Sequence, residues 1–148
     1  MTGGTFTTRI QAPPKTVWAL VADLGTHPSW SPKPYTIEWI SGEPNRVGSK
    51  FRSVGWIPGD KRHMNEGEIT ERVEPTRFAL RSQDDGWFIN AFDLTPVGDG
   101  ATEVAFTITF PTMKGMKALA APVAFPLVGK PDIRKRLDLL KEKAERGS

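Results

Sequence analysis

The chain has 148 residues, 38% of them apolar and 25% charged, with a net charge of +3. That balance describes an ordinary globular domain, able to bury about 68 to 70% of the surface its unfolded chain exposes. There is no cysteine, which excludes a disulfide framework, and the two histidines, His27 and His63, stand too far apart to form a metal-ligand motif, so no metal and no cofactor are expected. Lysine and arginine alternate with acids, as in Lys141, Glu142, Lys143, Glu145 and Arg146. This is the pattern of a solvated helix face, and no nucleic-acid partner is expected. The polar start Met1 to Thr8 lacks the charged and apolar regions of a signal peptide, which leads us to expect a cytoplasmic protein made of one domain, residues 1 to 148.

In chain order, Thr5 to Gln11 reads as a strand. After it, Pro14 fits the first turn of a helix, where a missing N–H is not needed, and Val17, Leu20, Val21 and Leu24 fall at i, i+3, i+4 and i+7 on one face. Trp18 and Ala22 flank that face. A second short turn from Gly25 to Ser29 ends in Trp30, Ser31 and Pro32, where the chain can no longer stay helical. Trp18 and Trp30 are read as scaffold that joins the first helix and its turn to a sheet.

Six further segments are rich in β-branched and aromatic residues and bounded by turn signals: Tyr35 to Ser41, Lys50 to Trp56, His63 to Val73, Arg77 to Gln83, Trp87 to Leu94 and Thr102 to Phe110. With the first strand they make seven. The turns between them are short, with Asp85-Gly86 suited to a tight hairpin, so neighbours should run antiparallel. Alternation puts Val104, Phe106, Ile108 and Phe110 toward a core. It places Asn90 on the same side as Phe88, Phe92 and Leu94, and Asn65 and His63 on the side of Ile69 and Gly67. Lys50 to Trp56 is ambiguous, since Phe51 favours one face and Val54 with Trp56 the other; in the second case Arg52 points inward. Asp93 and Glu71 are read as solvated.

The uncharged run Ala118 to Gly129 is broken by Pro122 and Pro126 and falls far short of the ~20 residues needed to span a bilayer, so no membrane span is expected. It reads either as the kinked first part of the last helix, packed on the sheet, or as a mobile lip over a cavity, with Met113, Met116 and Phe125 as apolar contacts. Asp132 to Arg146 then places Ile133, Leu137, Leu140 and Ala144 on one helical face, with Pro131 at its start.

The Pro14-Lys15-Thr16-Val17-Trp18 helix start, the Trp30-Ser31-Pro32 turn, Ile69-Thr70-Glu71 followed by Val73-Glu74-Pro75, and Phe92-Asp93-Leu94 together resemble the START-like, helix-grip (SRPBCC) superfamily, in its bacterial polyketide cyclase/dehydrase-like branch. The resemblance runs loosely over nearly the whole chain. It implies an α+β helix-grip fold: a curved antiparallel sheet of about seven strands around a long C-terminal helix, with two short helices after the first strand. It also implies a cavity between sheet and helix that takes a hydrophobic small molecule, a lipid, polyketide or isoprenoid. One alternative is a cyclase, aromatase or dehydratase working by acid–base chemistry, with His63, Asn90 and Arg52 as catalytic candidates. Another is a module that regulates a partner protein. An enzyme needs convergent polar groups in its pocket, a carrier an apolar pocket, and an interaction module a filled core with an exposed apolar patch. The ligand-facing candidates are Trp56, His63, Asn65, Trp87, Asn90, Phe92, Phe106, Met113, Met116 and Phe125. The oligomeric state is left open between monomer and homodimer.

Overall fold

A computed structural model describes residues 2–57, 60–82, 89–110 and 130–147. Seven strands form one antiparallel sheet: β1 (Thr2–Ile10), β2 (Tyr35–Ser41), β3 (Lys50–Ile57), β4 (Asp60–Val73), β5 (Arg77–Ser82), β6 (Ile89–Val97) and β7 (Ala101–Phe110). Their order is β1-β7-β6-β5-β4-β3-β2, so consecutive strands from β2 to β7 are hydrogen-bonded neighbours and β1 returns to pair with β7. Helix α1 (Pro14–Val21), a 3₁₀ helix (Leu24–Trp30) and the long helix α2 (Lys130–Gly147) complete an α+β helix-grip architecture.

The two short helices begin where their residues favour it. Pro14 occupies the first turn of α1, and Val17, Trp18 and Val21 are buried. The 3₁₀ helix opens on Asp23, whose carboxylate accepts from the Gly25 N–H at 3.1 Å. Asn45, from the β2–β3 loop, accepts from the Leu24 N–H at 2.7 Å. Helix α2 buries Ile133, Leu137, Leu140 and Ala144, the face expected from their spacing.

The side chains of the sheet divide cleanly. Toward the helices point Phe6, Ile10, Phe78, Leu80, Phe92, Leu94, Val104 and Phe106, all buried. The opposite face is laced with ion pairs: Arg81 with Glu68 at 2.9 Å, and Arg77 with both oxygens of Asp93 at 2.7 and 2.8 Å and with Glu71 at 3.1 Å. Asp93 and Glu71 are thus half-exposed and paired, and the hydrogen bonds from Arg77 to Asp93 raise the Arg77 pKa above its ordinary value. In β3 the vote of Phe51 prevails. Phe51 is 6% exposed and faces the helices, whereas Arg52 is on the ion-paired face, bound to Glu66 at 2.9 Å. Val54 misleads because it pairs with the exposed Met64 near an uncovered part of that outer face.

Several boundaries differ from the expected ones, among them the start of β4, which is Asp60 and not His63, and two have a local cause. Strand β1 starts at Thr2, because Gly3 lies so close to the Ile108 carbonyl that a side chain there would collide with it; the glycine extends the pairing. Strand β6 runs through Pro96 to Val97. Strand β5 begins only at Arg77, opposite Asp93, so the ring nitrogen of Pro96 faces no ladder partner and its missing N–H costs nothing.

Candidate functional site

Between sheet and helices lies a half-open cavity of about 410 Å³, within the usual size for a small-molecule site. Its floor comes from the helix-facing positions of β3 to β6: Phe51, Ser53, Asn65, Leu80, Ser82, Asn90 and Phe92. One wall is the 3₁₀ helix and the start of β2, with Leu24, His27, Tyr35 and Ile37; the roof is the first two turns of α2, with Asp132 and Arg136. Phe51 lies flat across the sheet because its partner across the strands is Gly67: a Cβ there would stand 2.5 Å from the Phe51 ring and 2.8 Å from the Arg81 carbonyl oxygen. That ring, backed by Trp39 with centroids 6.0 Å apart, makes an apolar wall.

Polar groups come from both the helices and the floor. His27 is 1% exposed, and its Nε2–H donates to the Val21 carbonyl at 2.8 Å while Nδ1 accepts from Arg136 Nη2 at 3.1 Å. Burial, reinforced by the Arg136 cation, lowers its pKa to about 3, so the imidazole is neutral. It packs against Trp30 and Phe92, with ring centroids at 4.4 and 5.8 Å. Arg136 Nη2 also donates to the Tyr35 hydroxyl at 3.3 Å, and the guanidinium lies over the Trp30 ring, 4.8 Å from its centroid. At the cavity rim Lys33 Nζ meets the Asp132 carboxylate at 3.0 Å. On the floor, the Ser82 hydroxyl donates to Asn65 Oδ1 and the Ser53 hydroxyl to the Asn65 carbonyl at 3.3 Å. Asn90 Oδ1 is buried without a hydrogen-bond partner among the described residues.

Of the residues singled out from the sequence, Asn65, Asn90 and Phe92 come together on the cavity floor. Phe106 is buried behind Phe92, with centroids 4.6 Å apart, and does not line the cavity. Arg52 is on the far face of the sheet, directed away by the alternation that brings Phe51 in. The backbones of Trp56 and His63 belong to β3 and β4, but their side chains lie outside the described residues, as do Trp87, Met113, Met116, Phe125 and the whole segment Ala118 to Gly129. The hairpin expected at Asp85-Gly86 falls there as well. Trp18 and Trp30 are scaffold: Trp30 is fully buried, and Trp18 Nε1 donates to Glu74 at 2.8 Å.

Two residues of the site carry sequence signals that strand alternation does not reveal. Leu24, His27 and Trp30 recur at the three-residue period of a 3₁₀ helix, which stacks them on one edge, and all three are buried. Arg136 sits at i+3 from Ile133 and i−4 from Leu140, a charge placed on the apolar stripe of α2. Among the described residues no three His, Cys, Asp or Glu side chains gather as metal ligands, and no helix is long and apolar enough to cross a membrane.

A family model described as polyketide cyclase / dehydrase and lipid transport matches residues 1–145, and the chain belongs to that family. Comparison with curated proteins gives no match. Among solved structures, the fold is similar to that of the Zhui aromatase/cyclase from Streptomyces sp. R1128, at a TM-score of 0.80 and 16% identity over 98% of this chain and 94% of that one. It is also similar to TTHA0849 from Thermus thermophilus, at 0.75 and 22% identity over 99% of each chain. The di-domain aromatase/cyclase StfQ of the steffimycin biosynthetic pathway aligns at 0.73 and 17% identity, over 97% of this chain but 45% of StfQ. At these identities the likeness is one of fold.

Proposed function

We propose that the chain binds a hydrophobic small molecule of the lipid, polyketide or isoprenoid kind in the cavity between the sheet and α2. The observation that carries the reading is the cavity's mixed lining, with apolar Phe51, Ile37, Leu80 and Phe92 beside polar Tyr35, Asn90 and Arg136. Such a site suits a ligand with an apolar body and oxygen functions, and the buried acceptor Asn90 Oδ1 suits a ligand hydroxyl, which would relieve the cost of an unpaired buried group.

The convergence of polar groups also favours a second reading, a cyclase or dehydratase, since a folded polyketide carbonyl could be polarised by Arg136. Among the described lining residues, however, the groups able to take a proton are engaged: His27 by Val21 and Arg136, Asp132 by Lys33, Glu66 by Arg52. Binding is therefore the primary reading, and His63 remains the candidate base.

Native mass spectrometry of freshly purified protein tests it. A co-purified apolar mass, lost in Ser53→Phe, whose ring would occupy the cavity floor, is the expected result. Overturning results are a bare protein mass that stays bare after incubation with decanoate, decanol and an aromatic polyketide, or binding undiminished in a folded Ser53→Phe variant.

A further inference from the structure

We infer that Arg136 selects the ligand by charge: the cavity takes an amphipathic molecule with a single carboxylate-type end, which Arg136 and Tyr35 receive while the apolar body lies along Phe51, Leu80 and Phe92. The inference rests on the ligand-binding reading above and deepens it.

A guanidinium presents five N–H donors. In Arg136 the Nη2 hydrogens go to two neutral acceptors, His27 Nδ1 and the Tyr35 hydroxyl, at 3.1 and 3.3 Å. Among the described residues, Nε–H is buried with no acceptor and Nη1 makes no hydrogen bond. The Trp30 ring beneath fixes the plane of the group. Arg136 thus enters no ion pair among the described residues, in contrast to the arginines of the outer sheet face, Arg52, Arg77 and Arg81, each of which meets a carboxylate. The acid that could neutralise it, Asp132, stands one turn earlier on α2 and is held by Lys33 at 3.0 Å.

A partly buried cation with unspent donors and no counter-charge is costly to keep, and an incoming anion recovers that cost. Its neighbours prepare it for this. His27, neutral and locked by Val21, adds no competing charge, and the Tyr35 hydroxyl, whose oxygen already accepts from Arg136, has its own hydrogen to donate to the same anion. Placed on the helix roof beside Tyr35 and Trp30, the guanidinium sets where in the cavity the acid stops.

Titration calorimetry with decanoate and decanol, equal in chain length and different in charge, tests the inference at pH 7 and low salt. Wild-type protein is expected to prefer decanoate by about 10- to 100-fold, the range of a charge-assisted hydrogen-bond pair. Arg136→Gln should abolish the preference, so that the variant binds decanoate and decanol alike. Arg136→Lys, which keeps the charge and serves if the glutamine variant does not fold, should retain the preference in reduced form. Equal binding of the two probes by wild-type protein, or a preference that survives Arg136→Gln, overturns the role of Arg136 and leaves the ligand-binding reading standing. Binding of neither probe overturns this inference, and the ligand-binding reading falls with it when the aromatic polyketide is refused as well.

Discussion

His27 ties the 3₁₀ helix to the cavity, and its environment makes a quantitative claim about stability and pH. Its pKa is about 3 in the folded protein, against 6.5 for an unperturbed histidine. A base whose folded pKa is depressed binds fewer protons folded than unfolded between those two values, so stability rises with pH across that window. The contribution is complete above pH 6.5 and is lost as pH falls toward 3. One proton per molecule corresponds to about 1.4 kcal/mol per pH unit, so the site loses about 3 kcal/mol between pH 6.5 and 4, and about 5 over the whole range. The perturbation that isolates it is His27→Gln, whose amide can donate to the Val21 carbonyl and accept from Arg136 without titrating. Urea unfolding of both proteins at half-unit steps from pH 7 to pH 4 cancels the carboxylates they share. The stability difference between wild type and variant should shift by about 3 kcal/mol, wild type losing ground as the solution is acidified. Parallel curves for the two proteins would falsify the buried neutral imidazole and with it the hydrogen bond from Arg136 to Nδ1.

Other expectations follow from single contacts. Trp30 is fully buried between His27 and Phe92, so Trp30→Ala should cost about 3 to 5 kcal/mol, seen as a melting point lower by at least about 6 °C; near-wild-type melting rejects the anchor. Gly67→Ala places a methyl 2.5 Å from the Phe51 ring, and should cost about 1 to 3 kcal/mol and weaken decanoate binding; a neutral effect on both means that Phe51 does not form the cavity floor as described. Asp93→Asn breaks the bidentate pair with Arg77, yet both side chains are partly exposed, at 41% and 37%, so chemical denaturation should find a loss of no more than about 1 kcal/mol. A larger loss would mean that the outer ion pairs hold the sheet together.

The fold was legible because its signals are local and repeated. Strands β4, β6 and β7 show their inward faces by alternation, and α2 shows its own by the spacing of Ile133, Leu137, Leu140 and Ala144. The site was legible only where a polar residue interrupted such a pattern, which brought Asn65 and Asn90 to notice. Arg52 was drawn in by a strand whose two faces carry similar apolar weight, so that parity alone could not decide; the decision came from Gly67, which makes room for Phe51 on the inner side. His27 and Arg136 escaped because their meeting joins residues 109 positions apart. No periodicity within either helix encodes that contact; it arises only when the sheet has set the distance between the 3₁₀ helix and α2.

The same sheet explains why a cavity exists at one end and not the other. Where β1, β6 and β7 meet α1 and α2, the inward positions hold Ile10, Leu94 and Val104, and the space is filled by Val17, Val21, Leu137 and Leu140, all buried. Toward the far ends of β3, β4 and β5 the inward positions hold Ser53, Gly55, Asn65, Gly67 and Ser82. These side chains are too short to reach a helix that the filled end already holds at a fixed height. Leucine or valine at Ser53, Asn65 or Ser82 would add apolar burial, about 1.5 to 3 kcal/mol for each one fully covered. Sheet positions that forgo this gain in a row of neighbours, beside a cation without a counter-charge among the described residues, suit a surface shaped for a molecule other than the chain itself.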